Sequence, residues 1–229
     1  MSNENYTQPV FNALPPAVVA LALAIFGVEL LLTIGARGII GGQEAMGWRV
    51  QAIQEFSFFS PLLSWLFETG NWSFEHLKRF VTYPFIHLGF MHAAFVIVFL
   101  LALGKLVGEV FGNIAVLILF FGCGIFGAVI YAGLVGDDRP LIGGFPSAYG
   151  LIGAYTFLLW VRFSAMGENQ YQAFYLIGML MGLQLFFGIF FEVGYDWVAE
   201  IAGFAFGFVI TPALVPGAFQ RFMDRMRQR

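Results

Sequence analysis

Six runs of about twenty apolar residues constrain this sequence more than any other feature. They occupy residues 15–36, 88–107, 114–135, 146–163, 174–191 and 197–215. A membrane-spanning α-helix needs about 17–25 predominantly apolar residues. A barrel strand would instead alternate apolar and polar residues with a period of two, and these runs do not alternate. The sequence therefore predicts an all-α integral membrane protein that is a bundle of six transmembrane helices.

Composition excludes most other classes of protein. Of the 229 residues, 59% are hydrophobic and only 11% are charged, whereas soluble domains carry about 25% charged residues. The formal net charge is −3, and nucleic-acid binding would need basic stripes, so we expect no nucleic-acid partner. The single cysteine, Cys123, rules out an intrachain disulfide and argues against a cysteine-based metal site. We predict no metal and no other cofactor.

Charges outside the runs suggest an orientation. The N-terminal tail, residues 1–14, lacks the basic segment of a signal peptide. The C-terminal tail, residues 217–229, has four arginines against one aspartate. Because short basic segments favour the cytoplasmic side, we expect both termini in the cytoplasm, in a bacterial inner membrane. The turn at residues 137–138 then faces outward.

A long first loop, residues 37–87, lies within the membrane domain, residues 15–216. With both termini inside, this loop faces outward, although Arg49 and other basic residues in it weaken that orientation. Tryptophan favours the membrane–water interface, and the loop contains Trp48, Trp65 and Trp72. Two interpretations stay open: a short helical hairpin lying in the outer interface, or a loop packed on its own aromatic residues.

Four ionisable side chains fall within the predicted spans, where burial is costly. Glu29 and Glu192 lie near interfaces in this scheme, so water or snorkelling can satisfy them. We expect Glu200 to hydrogen-bond His92 or another donor from a neighbouring helix, or to turn outward into interfacial water, and we favour His92. His87 and His92 are five residues apart, about 140° around a helix, which does not match the spacing of helical metal ligands. No metal site is predicted there.

Small residues mark a predicted helix contact. Gly150 and Gly153 lie in the fourth run, and Gly203 and Gly207 form a G-x-x-x-G in the sixth. Such patterns let membrane helices approach closely. We therefore expect the fourth and sixth helices to pack together through these glycines.

Four segments resemble the rhomboid intramembrane serine proteases. Residues 78–92, KRFVTYPFIHLGFMH, are similar to W-R-x-x-T-x-x-F-x-H-x-x-x-x-H and retain Arg79 and His87, with Lys78 in place of tryptophan. Residues 104–112, including Glu109, are similar to G-x-x-x-E-x-x-x-G. Residues 142–154, IGGFPSAYGLIGA, resemble V-G-A-S-G-A-I-F-G-L-L-G-A, and residues 199–207, AEIAGFAFG, resemble A-H-L-G-G-F-L-F-G. The resemblance implies a six-helix rhomboid-like fold with a long first loop.

The same alignment implies a degenerate active site. The family's serine nucleophile aligns with Phe145, its histidine base with Glu200, and its oxyanion-binding asparagine with Val96. His92 matches the other oxyanion-side residue. Acyl transfer needs a hydroxyl within reach of a base, and donors for the oxyanion. The resemblance therefore implies a pseudoprotease, which would bind transmembrane helices or serve as an accessory subunit of a membrane complex.

Two other functions stay open. A divergent rhomboid protease could hydrolyse peptide bonds of membrane proteins with Ser147 as nucleophile and Glu200 as base. Ser147 follows Phe145 by two positions, a rotation of about 200° on a helix, so we expect it to bond local backbone instead. A carrier or channel could use Glu29, His92 and Glu200 as a polar path. The expected partners are the lipid bilayer and another membrane protein or transmembrane helix.

Overall fold

The computed structural model describes residues 13–136, 139–190 and 194–215. The C-terminal tail, most of the N-terminal tail, residues 137–138 and Glu192 therefore lie outside the described residues. In chain order the helices are α1 (Pro16–Ala36), α2 (Gly42–Ala45), α3 (Trp48–Phe56), α4 (Ser60–Thr69), α5 (Phe74–Leu77), α6 (Arg79–Thr82), α7 (Phe90–Phe111), α8 (Asn113–Leu134), α9 (Phe145–Met166), α10 (Tyr175–Phe190) and α11 (Asp196–Leu214). Short 3₁₀ turns at Tyr83–Phe85 and Gln170–Phe174 precede α7 and α10.

The six long helices form the predicted all-α bundle. By length and composition, five segments can cross a membrane: α1, α7, α8, Gln170–Phe190 and α11. The sixth long helix, α9, has 22 residues but a more polar first half, which is almost continuously buried. It packs against α7, α8 and α11. The least apolar of the long helices is thus the one most surrounded by other helices, so little of its surface has to face lipid.

Local sequence sets the ends of these helices. Proline stands in the first turn of both α1 and α9, where its missing N–H leaves no intrahelical hydrogen bond unmade. The backbone N–H of Ala17 donates to Asn113 Oδ1 at 3.1 Å, which ties the start of α1 to the start of α8. Helix α9 ends at Gly167, whose φ of 71° gives a left-handed cap.

The first loop is a chain of short helices, α2 to α6, as the helical interpretation required. Its aromatic residues also pack on one another: Trp65 lies against His76 at 4.6 Å between centroids, and Phe67 against Trp72 at 5.2 Å. Phe58 exchanges two backbone hydrogen bonds with Leu141, of 3.1 and 2.7 Å. The loop is thereby anchored to the segment that leads into α9.

Helix α10 packs on the bundle mainly through its first half. Ile177 is its one buried residue, whereas Leu185, Ile189 and Phe190 are between 65% and 77% exposed. A groove of about 400 Å³ opens between α10 and α11. A second groove, of about 520 Å³, lies between α8 and α11. Large apolar surfaces of this kind are unusual in contact with water and fit contact with lipid or another membrane helix.

Candidate functional site

The aligned positions from three different helices converge at one end of the bundle. His92 lies in the first turn of α7, and Phe145 is the first residue of α9. Their rings stack, with centroids 5.2 Å apart and planes 22° apart. His92 Nδ1 also accepts a hydrogen bond from the Leu88 N–H at 3.2 Å. The side chain at the nucleophile position is therefore a ring that covers one face of His92.

Val96 occupies the next turn of α7 and is fully buried. A Cβ placed on Gly144 would come within 2.8 Å of Val96 Cγ1, so the valine methyl groups pack directly on the backbone before Phe145. Gly143 has a φ of 89°, and a Cβ there would approach the His92 ring to 2.7 Å. Only a glycine fits this close, left-handed position. The valine offers no hydrogen-bond donor to a bound carbonyl.

His87 is fully buried beside this site. Its Nδ1 lies 3.3 Å from the Phe85 carbonyl, and its Nε2 accepts from the Gly144 N–H at 3.3 Å. These two partners fit a neutral ring with the proton on Nδ1. Burial lowers the pKa of His87 to about 4, which keeps it neutral at pH 7. His87 thus fixes the backbone that positions Phe145.

Glu200 hydrogen-bonds other partners than the predicted one. It is 6% exposed, and its Oε2 accepts from Gln184 Nε2 of α10. The Tyr149 side chain of α9 also lies beside it. The donor comes from a neighbouring helix, as one alternative required. The favoured bond between His92 and Glu200 is wrong: Phe145 stacks on His92 and also contacts Tyr149 at 6.5 Å between centroids. Two aromatic rings therefore separate the histidine from the carboxylate.

Ser147 is fully buried and faces α8. A Cβ on Gly124 of α8 would lie 2.8 Å from Ser147 Oγ. The Tyr83 hydroxyl donates to the Gly124 carbonyl at 2.7 Å, so that acceptor is engaged. Within the described residues, Ser147 Oγ has no hydrogen-bond partner. The expectation that it bonds local backbone is therefore wrong, and the hydroxyl instead lies against Gly124 of α8.

The four glycines of the predicted contact lie between α9 and α11. A Cβ on Gly203 would overlap the Pro146 carbonyl oxygen, and a Cβ on Gly207 would overlap that of Gly150. A Cβ on Gly153 would overlap the Phe204 carbonyl oxygen. Backbone thus meets backbone along this interface. The close approach carries Glu200, three residues before Gly203, to the first turns of α9.

Sequence reasoning missed a buried ion pair beside the site. Glu29 of α1 is 1% exposed and not satisfied by interfacial water. Arg49 of α3 donates to both its carboxylate oxygens, at 2.8 and 2.9 Å, and Thr33 Oγ1 donates at 2.8 Å. Arg49 also donates to the His87 carbonyl at 2.6 Å. A carboxylate inside a predicted span needs a cation as its partner. That requirement was the signal in the sequence that could have identified Arg49.

The retained motif residues Arg79 and Glu109 have other surroundings. Arg79 Nη1 donates to the Ser57 carbonyl at 2.9 Å, and its guanidinium lies over the Phe59 ring at 5.8 Å from the centroid. It therefore holds the first loop together. Glu109 lies 3.9 Å from Lys105, one turn earlier on α7. Among the described residues, no group of three His, Cys, Asp or Glu side chains is close enough to hold a metal ion.

Comparison with known families decides the identity of the fold. Residues 75–217 match the family model described as "Rhomboid domain", which covers more than half of the chain. This protein belongs to the rhomboid family. The rhomboid match begins in the first loop, includes α7 to α11, and contains every aligned site position from His92 to Glu200. With its several apolar helices, this rhomboid is an integral multi-pass membrane protein. The comparison with curated proteins gave no match.

Proposed function

We propose that this rhomboid is a pseudoprotease that binds transmembrane helices of other membrane proteins, as their binding partner or as an accessory subunit. The stacking of Phe145 on His92 carries the proposal. A phenyl ring cannot attack a carbonyl, and here it covers the face of the oxyanion-side histidine. Val96 offers no donor in the next turn. A substrate carbonyl would therefore find no nucleophile at the Phe145 position and no oxyanion donor at the Val96 position.

The alternative, a divergent protease with Ser147 as nucleophile, has less support. A serine is activated by a base within hydrogen-bond reach of its hydroxyl. Ser147 Oγ faces Gly124, whereas Glu200 accepts from Gln184 and lies beside Tyr149. The candidate base is thus engaged on the far side of α9 from the candidate nucleophile. An active-site fluorophosphonate probe should leave the purified protein unlabelled, and labelling that disappears in Ser147→Ala would support the protease instead.

Helix binding is supported by the groove between α10 and α11. Met181 and Gly188 of α10 and Trp197 and Ile201 of α11 are among its lining residues. The apolar side chains of the second half of α10 are exposed beside it. Membrane helices associate through van der Waals packing and small residues, and Gly188 lets a partner's side chain approach the α10 backbone. A transmembrane helix lying along α10 and α11 would cover this surface.

A crosslinking experiment tests this proposal. A photoreactive amino acid at Leu185, beside the groove, should crosslink a defined single-pass helix in proteoliposomes. The matched control is the same group at Leu23, an exposed residue of α1. Preferential crosslinking from Leu185 supports the proposal, and equal yields from both positions would contradict it. Affinity purification in mild detergent with mass spectrometry would then identify the natural partner.

We also propose that the protein lies in a bacterial inner membrane with both termini in the cytoplasm. The basic C-terminal tail supports this orientation. A reporter that is active only outside the cytoplasm, fused after residue 229, should be inactive. An active reporter would reverse the orientation.

A further inference from the structure

Around Glu200, hydrogen-bond acceptors outnumber donors. Gln184 donates to the carboxylate, and Tyr149 lies beside it. The amide nitrogen of Gln184 is used in this hydrogen bond. Its carbonyl oxygen, Oε1, is buried and has no hydrogen-bond partner among the described residues. A buried acceptor left without a donor costs about 1–3 kcal/mol. The site therefore lacks a donor that can reach both Gln184 Oε1 and Glu200.

Positive charge is also missing. Within residues 13–136, 139–190 and 194–215, the ion pairs join Arg49 to Glu29, Lys78 to Glu55, and Lys105 to Glu109. None of these cations reaches Glu200. An uncompensated buried carboxylate is strongly unfavourable in a membrane protein.

The site lies beside the groove between α10 and α11. Gln184 is itself a lining residue, together with Trp197 and Ile201. Trp197 is 41% exposed, and an indole face attracts ammonium and guanidinium groups. A side chain that enters the groove therefore lies against Trp197 and Gln184, and Gln184 hydrogen-bonds the buried Glu200 carboxylate.

We propose that the occupant of this groove is a transmembrane helix with one lysine or arginine side chain, which pairs with Glu200 and Gln184. The inference rests on the proposed helix-binding function and names the chemistry of its partner. A lysine ammonium brings three donors and no acceptor, which supplies both missing features. Glu200 is four residues into α11, about 6 Å along the axis, so the basic residue lies about one turn from the end of its helix.

Binding of designed helices tests the inference. Fluorescent, Leu/Ala-rich peptides that span the bilayer would carry one Lys, or Met at the same position, about one turn from one end. In nanodiscs of phosphatidylcholine alone, the Lys peptide should bind at least about tenfold more tightly, or about 1.4 kcal/mol. Glu200→Gln should remove this preference, so that the Lys and Met peptides bind that variant equally. Gln184→Met, which keeps the carboxylate, should reduce the preference.

The outcomes separate this inference from the proposed function. Equal binding of the Lys and Met peptides to the unmodified protein would overturn the inference and leave helix binding intact. Absence of binding by either peptide would overturn both. A preference that survives in both Glu200→Gln and Gln184→Met would also overturn the inference. If phosphatidylethanolamine displaced the Lys peptide, Glu200 and Gln184 would be binding a lipid ammonium group, and the inference would likewise be overturned.

Discussion

Loss of Arg49 should destabilise the protein more than loss of any exposed cation. Its guanidinium makes two hydrogen bonds to Glu29, one to Thr33 and one to the His87 carbonyl. In Arg49→Gln, the buried Glu29 carboxylate keeps only the Thr33 hydroxyl as a donor. Removing one partner of a buried pair costs about 3–5 kcal/mol. With Thr33 retained, we expect a loss of about 3 kcal/mol.

The free energy of unfolding can be measured by detergent-induced unfolding of the purified protein. The matched control is Lys78→Gln, because Lys78 pairs with the exposed Glu55 at the same 2.8 Å. It should have little effect, since exposed pairs contribute little. The double variant Glu29→Gln with Arg49→Gln should recover about 2 kcal/mol of the loss. Equal effects of Arg49→Gln and Lys78→Gln would refute the reasoning, because burial would then not distinguish the two pairs.

Three further predictions concern the glycine contact, pH and a buried hydroxyl. Gly203→Ala should lower the free energy of unfolding by at least about 1–3 kcal/mol, because the added methyl group overlaps the Pro146 carbonyl. The control, Gly178→Ala on α10, places its methyl group in open space and should not destabilise the protein. Thermal unfolding compares the two variants. Burial lowers the pKa of His87 from 6.5 in the unfolded chain to about 4 in the folded protein. The free energy of unfolding should therefore be highest above pH 6.5 and fall by about 3 kcal/mol as the pH decreases towards 4. Unfolding measured as a function of pH tests this. Tyr83→Phe removes the side-chain hydrogen bond to the Gly124 carbonyl, which keeps its intrahelical bond, and should cost about 0.5–1.5 kcal/mol in the same unfolding assay.

Each of these has its own contradicting result. Equal melting temperatures for Gly203→Ala and Gly178→Ala would show that the α9–α11 contact has room. A pH profile that keeps its slope in His87→Gln would assign the slope to other groups. A fully stable Tyr83→Phe variant would show that water or another donor replaces the hydroxyl.

Sequence predicted the helices well because length and hydropathy determine them. The third run was predicted at residues 114–135 and is observed as Asn113–Leu134. Motif spacing aligned Phe145 and His92 with one site, and their rings are in contact. The partners of Glu200 could not be predicted, because they depend on how far α10 turns towards α11. Gln184 is the single polar residue among mostly apolar residues in α10, and that isolation was the available signal.

The first loop was less predictable for a different reason. Its aromatic residues fit both a helical hairpin and a self-packed loop, and the structure has features of both. The role of Arg49 depends on α3 lying against α1, a long-range contact that no local pattern specifies. Tertiary packing therefore decided which of several basic residues in the loop met Glu29.

Proteolysis itself tests the central claim most directly. The purified protein, reconstituted in proteoliposomes with a fluorescent helical membrane substrate, should release no cleavage product. Ser147→Ala should give the same trace as the unmodified protein. Cleavage by the unmodified protein that disappears in Ser147→Ala would show an active serine protease and contradict the assignment of a pseudoprotease.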